Sequence, residues 1–219
     1  MNVHRFDSED HFVGKSVETI FGAIASKKGI VRIALSGGST PQPIYTALGK
    51  EKIDFERVHF YVLDERYVPM DHPDSNAGMI ARTLFASGPL PETFVCFDTA
   101  KDIRMCVDGF SSRMPADHFD LMVLGAGPDG HIASLFPYAE KVYRSGHVAH
   151  TQTDRFAVKD RLTMTLTPIM DAKNVLLILK GAAKQGVIDM MHDEKIRDED
   201  FPARYLRAHP GLVIHCLNC

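Results

Sequence analysis

Four apolar runs that scarcely alternate with polar residues constrain this chain more than anything else in it: Ile30 to Leu35, Val58 to Leu63, Leu121 to Leu124 and Val175 to Leu179. A strand with one wet face reads as alternation, whereas a near-continuous apolar run needs cover on both faces, which means helices above and below the sheet. Segments with helical spacing stand between the runs. Phe12, Val13, Val17, Ile20, Phe21 and Ile24 recur at helical intervals behind Ser8, a good N-cap residue, so an amphipathic helix is predicted over 9–27. Further helices are expected up to Leu48, over 76–85 and 102–114, and up to about Met191, with smaller strands at 94–97, 156–158 and 163–166.

The predicted fold class is therefore α/β, a three-layer α/β/α sandwich around a mostly parallel, Rossmann-like sheet. With 219 residues, 45% of them hydrophobic, the chain can bury one substantial core. It shows no internal repeat, low-complexity tract or long linker, so a single domain over 1–219 is expected. A formal net charge of −3 supplies no global basic field for nucleic acid or an anionic membrane. No apolar run approaches a bilayer span, and Met1 to Asp7 lacks a signal-peptide core, so a cytoplasmic location is expected.

Cys96, Cys106, Cys216 and Cys219 are too few for a disulfide framework and fit a reducing compartment. The segment from His215 to Cys219 holds a lone Cys-x-x-Cys beside a histidine. Without a second pair this is weak evidence for zinc, and free thiols are the expectation there.

Each apolar run ends in a polar turn, and right-handed crossovers would carry all four turns to the same edge of the sheet. In Ser36-Gly37-Gly38-Ser39-Thr40-Pro41 two glycines permit close backbone approach, and Thr40-Pro41 reads as an N-cap followed by the first helical residue, a setting suited to phosphate. The spacing is neither a dinucleotide fingerprint nor a Walker loop. The run at 121–124 leads into Gly125-Ala126-Gly127-Pro128-Asp129-Gly130-His131, which lifts one aspartate and one histidine to the rim; the plain alternative is a tight turn with a solvated tip.

Arg66 and Lys184, both just beyond strand ends, are candidate anion-binding cations, against the default of ordinary surface charge. Asp64 suits a sugar hydroxyl or a catalytic group, while Asp64 and Glu65 could equally cap the next segment or pair with Arg66. Asp74 or Ser75 reads as a helix cap ahead of Asn76.

Taken together, Ala34 to Pro41, Asp64 to Pro69 with His72 and Asp74 to Asn76, Gly125 to Pro137, Arg161 to Thr165, and Gly181 to Lys184 follow one another in family order. In these segments the chain resembles the 6-phosphogluconolactonases, within the larger group that includes the glucosamine-6-phosphate isomerases and deaminases. The resemblance runs from about residue 10 to Leu206. It implies a hydrolase acting on a sugar-phosphate lactone, with His131 as general base and Asp129 beside it, and with no metal or organic cofactor.

The same resemblance makes Ser39, Thr40, Arg66 and Lys184 candidates for holding the phosphate. Gly37 and Gly38 in the same loop, Asp64, and Arg161, which matches a family arginine, complete the expected substrate-binding set. A neutral imidazole, with a reference pKa of about 6.5, is mostly unprotonated at pH 7 and still basic enough to activate water. A Ser-His-Asp hydrolase is disfavoured because no G-x-S-x-G elbow is present.

An isomerase/deaminase needs further carboxylates, and no acid follows His131 before Glu140. A non-catalytic phosphosugar sensor is the remaining alternative; it would bind tightly without turnover. The family pattern beyond Leu206 continues into an aromatic-rich strand and an acidic tail. Here the sequence reads on to Cys219, a departure expected to touch the last strand more than the site.

Overall fold

The computed structural model describes residues 2–139, 143 and 146–219. The four apolar runs become β2 (Val31–Leu35), β3 (Val58–Val62), β6 (Leu121–Gly125) and β9 (Val175–Lys180). With β1 (Asn2–Phe6), β5 (Phe94–Val95) and β10 (Leu212–Leu217) they form a seven-stranded sheet, ordered β1-β10-β9-β6-β2-β3-β5, in which every neighbouring pair is parallel. Ile33, Leu35, Val62, Val123, Leu124 and Leu177 are all fully buried, as strands covered on both faces require.

The flanking helices are α1 (Glu9–Ala25), α2 (Gln42–Leu48), α3 (Asn76–Thr83), α4 (Ile103–Ser112), α5 (Leu166–Asp171) and α6 (Val187–His192). They complete the α/β/α arrangement. Ser8 caps α1 by accepting the His11 N–H at 3.2 Å, and Asp102 caps α4 by accepting the Met105 N–H at 3.0 Å. Helix α1 ends two residues short of its expected limit, at Ala25.

From β2 the chain steps outward to β3 and β5, then returns to the other side of β2 as β6 and steps the opposite way through β9 and β10. Strand order thus reverses between β2 and β6, and a crevice opens beyond their carboxyl ends. The pairing Leu35↔Val123 is extended by the Ser36 N–H, which donates to the Val123 carbonyl at 3.0 Å. At the opposite end, buried Asp120 fixes the start of β6 by accepting from Lys173 (2.8 Å), the Arg32 N–H (3.0 Å) and Lys27 (3.1 Å). Burial opposes its charge, and these donors outweigh burial, holding its pKa below the ordinary value.

A second, antiparallel sheet was not foreseen from sequence: β4 (Asp64–Arg66), β8 (Asp160–Met164) and β7 (Val148–Gln152), in the order β4-β8-β7. The strand expected at 163–166 starts earlier, at Asp160. Residues 156–158 form no strand; they lie in the turn between β7 and β8, where the Thr153 N–H donates to the Lys159 carbonyl at 3.1 Å. Three apolar residues flanked by Asp154, Arg155 and Lys159 are too few to build a buried strand there.

The C-terminal expectation of free thiols is overturned, because Cys216 and Cys219 are joined by a disulfide. Cys96 and Cys106 are free. His215 serves packing: its Nδ1 lies 2.9 Å from Ser16 Oγ, and its ring meets His4 and Phe6 edge-on. Strand β10 pairs over its whole length with β9 and from Val213 to Leu217 with β1.

Candidate active site

The turn leaving β6 is closed by two main-chain bonds, from the Gly127 N–H to the His131 carbonyl (2.8 Å) and from the Gly130 N–H to the Gly127 carbonyl (3.0 Å). They fold Asp129 and His131 back over Gly127. A Cβ on Gly127 would lie 2.1 Å from His131 Nδ1 and 2.4 Å from Asp129 Oδ1, so no other residue fits. Gly130 has φ +79° and packs against the Phe201 ring.

His131 Nδ1 stands 2.6 Å from Asp129 Oδ1, which also accepts the His131 N–H at 3.3 Å. An ionised carboxylate only accepts, so Nδ1 carries the hydrogen and the neutral ring keeps its lone pair on Nε2. Phe136 and Phe156 flank the imidazole, with ring centroids 5.1 and 5.8 Å away. The second oxygen of Asp129 accepts from Arg155 Nη1. Partial burial works against the Asp129 charge, but the hydrogen bond and charge of His131, together with Arg155, prevail and hold the carboxyl well below the usual carboxylate range.

His131 faces a cleft of about 480 Å³, of the size that holds a small metabolite. The loop from Ser36 to Pro41 forms one wall. A Cβ on Gly37 would lie 1.8 Å from Asn76 Oδ1, so Gly37 lets the loop lie against α3, while Gly38, with φ +99°, permits its left-handed turn. The cap position of α2 is Pro41, not the expected Thr40, and no side-chain bond closes it. Ser36 Oγ and Asn76 Oδ1 are buried beside this wall without a hydrogen-bond partner among the described residues.

Four cations line the cleft: Arg66, Arg161, Lys184 and Lys180, the last paired with Glu9 at 2.7 Å. Arg66 on β4 sits opposite Arg161 on β8 in the antiparallel register. Arg66 donates to the Asp74 carbonyl at 2.5 Å, while buried Arg161 donates to the Val158 carbonyl at 3.0 Å and lies 5.2 Å from the Phe156 ring centroid. Neither guanidinium forms an ion pair with a carboxylate among the described residues. Burial, then the nearby charge of Arg66, lowers the Arg161 pKa. The ammonium of Lys184, in the short 3₁₀ turn Ala182–Lys184 after β9, has no hydrogen bond or ion pair among the described residues; burial lowers its pKa, opposed by the Asp129 charge.

The two carboxylates of β4 separate in role. Asp64 lines the cleft, its Oδ2 accepting from Ser134 Oγ at 2.8 Å. Glu65 is turned away and buried at the start of α3, where it accepts the N–H groups of Asn76 (2.7 Å) and Ala77 (2.8 Å) and the Ser75 hydroxyl (3.0 Å). Burial raises its pKa despite those bonds. Ser75 caps α3 through the Gly78 N–H at 3.0 Å.

The family model for glucosamine-6-phosphate isomerases/6-phosphogluconolactonase matches residues 8–214. This chain belongs to that family. It is 34% identical to a probable 6-phosphogluconolactonase of Dictyostelium discoideum over 89% of its own length and 87% of the relative's. It is 32% identical to the 6-phosphogluconolactonase of Thermotoga maritima over 92% and 91% of the two chains. Among solved structures, a 6-phosphogluconolactonase from Thermotoga maritima superposes with a TM-score of 0.88 at 27% identity, covering 100% of this chain and 99% of that one. The Trypanosoma brucei 6-phosphogluconolactonase gives a TM-score of 0.84 at 25% identity, covering 99% and 95%.

In this member of the family, one cleft gathers His131 with Gly37, Gly38, Ser39, Thr40, Asp64, Arg66, Arg161 and Lys184. Asp129 stands behind the histidine instead of lining the cleft, and Glu65 is absent from it. Glu140 lies outside the described residues. Sequence reasoning missed Arg155 and Phe156, which reach the histidine from the β7–β8 turn. Their only sequence signal is closeness to Arg161, because a contact spanning 26 residues leaves no local pattern.

Proposed function

We propose that this chain hydrolyses 6-phospho-D-glucono-1,5-lactone to 6-phospho-D-gluconate, the lactone-opening step of the oxidative pentose phosphate pathway. It is an enzyme, a hydrolase of the 6-phosphogluconolactonase kind. The observation that carries the reading is the pair of His131 and Asp129, 2.6 Å apart, beside a cleft in which Nε2 and three of the cations, Arg66, Arg161 and Lys184, have no carboxylate partner among the described residues.

In this reading Asp129 holds the imidazole in the tautomer whose Nε2 accepts a proton from water as the water oxygen attacks the lactone carbonyl carbon. Main-chain N–H groups of the cleft stabilise the tetrahedral oxyanion. As the bond from that carbon to the ring oxygen breaks, the imidazolium returns the proton to the leaving oxygen, giving the open-chain acid and a free hydroxyl. Arg66, Arg161 and Lys184 share the dianionic phosphate with the Gly37, Gly38, Ser39 and Thr40 loop, so binding energy from a remote group orients the reacting carbonyl. Asp64, fixed by Ser134, accepts a sugar hydroxyl.

A single domain in the cytoplasm, where phosphorylated sugars are made and kept, completes the proposal. Among the described residues no helix is long and apolar enough to cross a membrane. The deciding assay follows freshly generated lactone with its spontaneous hydrolysis subtracted. Acceleration well above that background supports the reading. Tight phosphosugar binding without turnover would assign the chain as a sensor.

A further inference from the structure

We infer that Arg155 is a positioning residue for His131, acting through Asp129. The inference rests on the reading of His131 as the base. An ion pair at the surface contributes little on average, because water screens it and two long side chains must be ordered. This pair differs in its acceptor. Asp129 is only 27% exposed and divides its two oxygens, one to His131 Nδ1 and one to Arg155 Nη1. The guanidinium therefore fixes the rotation of the carboxylate that fixes the imidazole.

The turn that carries Arg155 is itself built. The Arg155 N–H donates to Thr153 Oγ1 at 3.2 Å, the Thr153 N–H donates to the Lys159 carbonyl at 3.1 Å, and Lys159 pairs with Asp154 at 2.7 Å. The next residue, Phe156, meets the imidazole edge-on at 5.8 Å and Phe136 at 6.0 Å. One turn thus delivers a charge to the carboxylate and an aromatic wall to the ring it serves. Arg155 does not line the cleft, so it supports the base from behind without holding substrate.

A second consequence is electrostatic. The Arg155 cation helps keep Asp129 ionised, and its removal would leave the Asp129 charge to act on the imidazole alone. The other charges facing the ring are Arg161 behind Phe156, Lys184 beyond β9, and Asp64 and Arg66 on β4, while Lys180 is paired with Glu9 at 2.7 Å. From the 3₁₀ segment Pro202–Ala208 packed below the loop, Arg204 turns away to Asp198 at 3.0 Å. Arg155 is the cation bound directly to the carboxylate of the pair.

The test compares the unsubstituted protein with Arg155→Gln, Arg155→Lys and His131→Ala. It follows lactone hydrolysis across pH, and it follows the His131 ring by NMR titration, which needs no turnover. Arg155→Gln should lower kcat by about 5- to 50-fold with KM within twofold. It should also move the ring titration and the acid limb of kcat upward together by about 0.5–1 pH unit. Arg155→Lys should recover most of both. A ring titration and kcat unchanged in Arg155→Gln overturn the inference, and a raised KM at unchanged kcat overturns it in favour of substrate binding by Arg155. Full activity in His131→Ala would overturn the base assignment, and the NMR titration distinguishes that failure from a failure of the Arg155–Asp129 link.

Discussion

Arg66 and Arg161 face each other across antiparallel strands, and neither meets a carboxylate partner among the described residues. Like charges placed directly opposite in a sheet are destabilising by roughly 0.2–1 kcal/mol, so the arrangement is suited to an anion that bridges them. Arg66→Met or Arg161→Met should weaken 6-phosphogluconate binding by about one to two decades, as expected for losing a charge-assisted bond worth roughly 1.5–3 kcal/mol. Hydrolysis of unphosphorylated gluconolactone should change little. Calorimetry with both ligands checks this, and equal losses for the two would make the arginines structural.

His131→Ala should lower kcat by about 10²–10⁴-fold, the usual contribution of a general base, while phosphosugar affinity and the thermal midpoint stay nearly constant. Turnover unchanged in the folded variant would remove His131 from the chemistry.

Gly127→Ala tests the fold of the turn. A methyl group would stand 2.1 Å from His131 Nδ1, inside any van der Waals contact, so the ring or the turn must move. Activity should fall at least as far as in His131→Ala, with a stability loss of about 1–3 kcal/mol from overpacking. A crystal structure of the variant with an undisturbed pair of Asp129 and His131 would contradict the account of this turn.

His215 predicts an acid weakness far from the cleft. Ser16 Oγ donates to the Phe12 carbonyl at 2.7 Å, so the buried His215 ring must donate to Ser16 from Nδ1, leaving Nε2 without a partner among the described residues. Burial, with some help from His4 and Lys15, depresses its pKa to about 4. The unfolded chain, titrating near 6.5, then binds the proton first, so stability falls as pH drops from about 6.5 to about 4 and the loss is complete below that. The effect is on the order of 3 kcal/mol. Urea unfolding at several pH values should show this slope, and His215→Asn should lack it.

Glucosamine 6-phosphate should release no ammonia under conditions where the lactone is hydrolysed. Deamination needs several coordinated proton transfers, and Asp64 and His131 are the groups in the cleft suited to them, Glu65 being buried at the α3 cap. Ammonia release abolished by His131→Ala would overturn the lactonase reading.

The main sheet was legible because strands buried on both faces must be near-continuously apolar, and β2, β3, β6 and β9 are. The smaller sheet was not, because Asp64–Arg66 and Asp160–Met164 carry charge where a core strand would carry valine. Their pairing is set by distant contacts such as the one between Arg66 and Arg161. The glycines of 125–131 announced a turn, yet only the folded chain shows that Gly127 makes room for the histidine. Thr40 looked like a cap by type, but the helix starts one residue later. Arg155 left no signal beyond its closeness to Arg161, since nothing local distinguishes an arginine that reaches across the chain from one that reaches into water.

The small sheet lies over a crevice that belongs to the large one, so the proposed site is assembled from both layers. Loops of the parallel sheet present His131, Ser39, Thr40 and Lys184, while β4 and β8 bring the two guanidiniums. In the proposed reading the molecule is in effect a caliper whose second jaw is the lesser sheet, and relatives could retune the gap through that sheet while leaving the hydrophobic core intact.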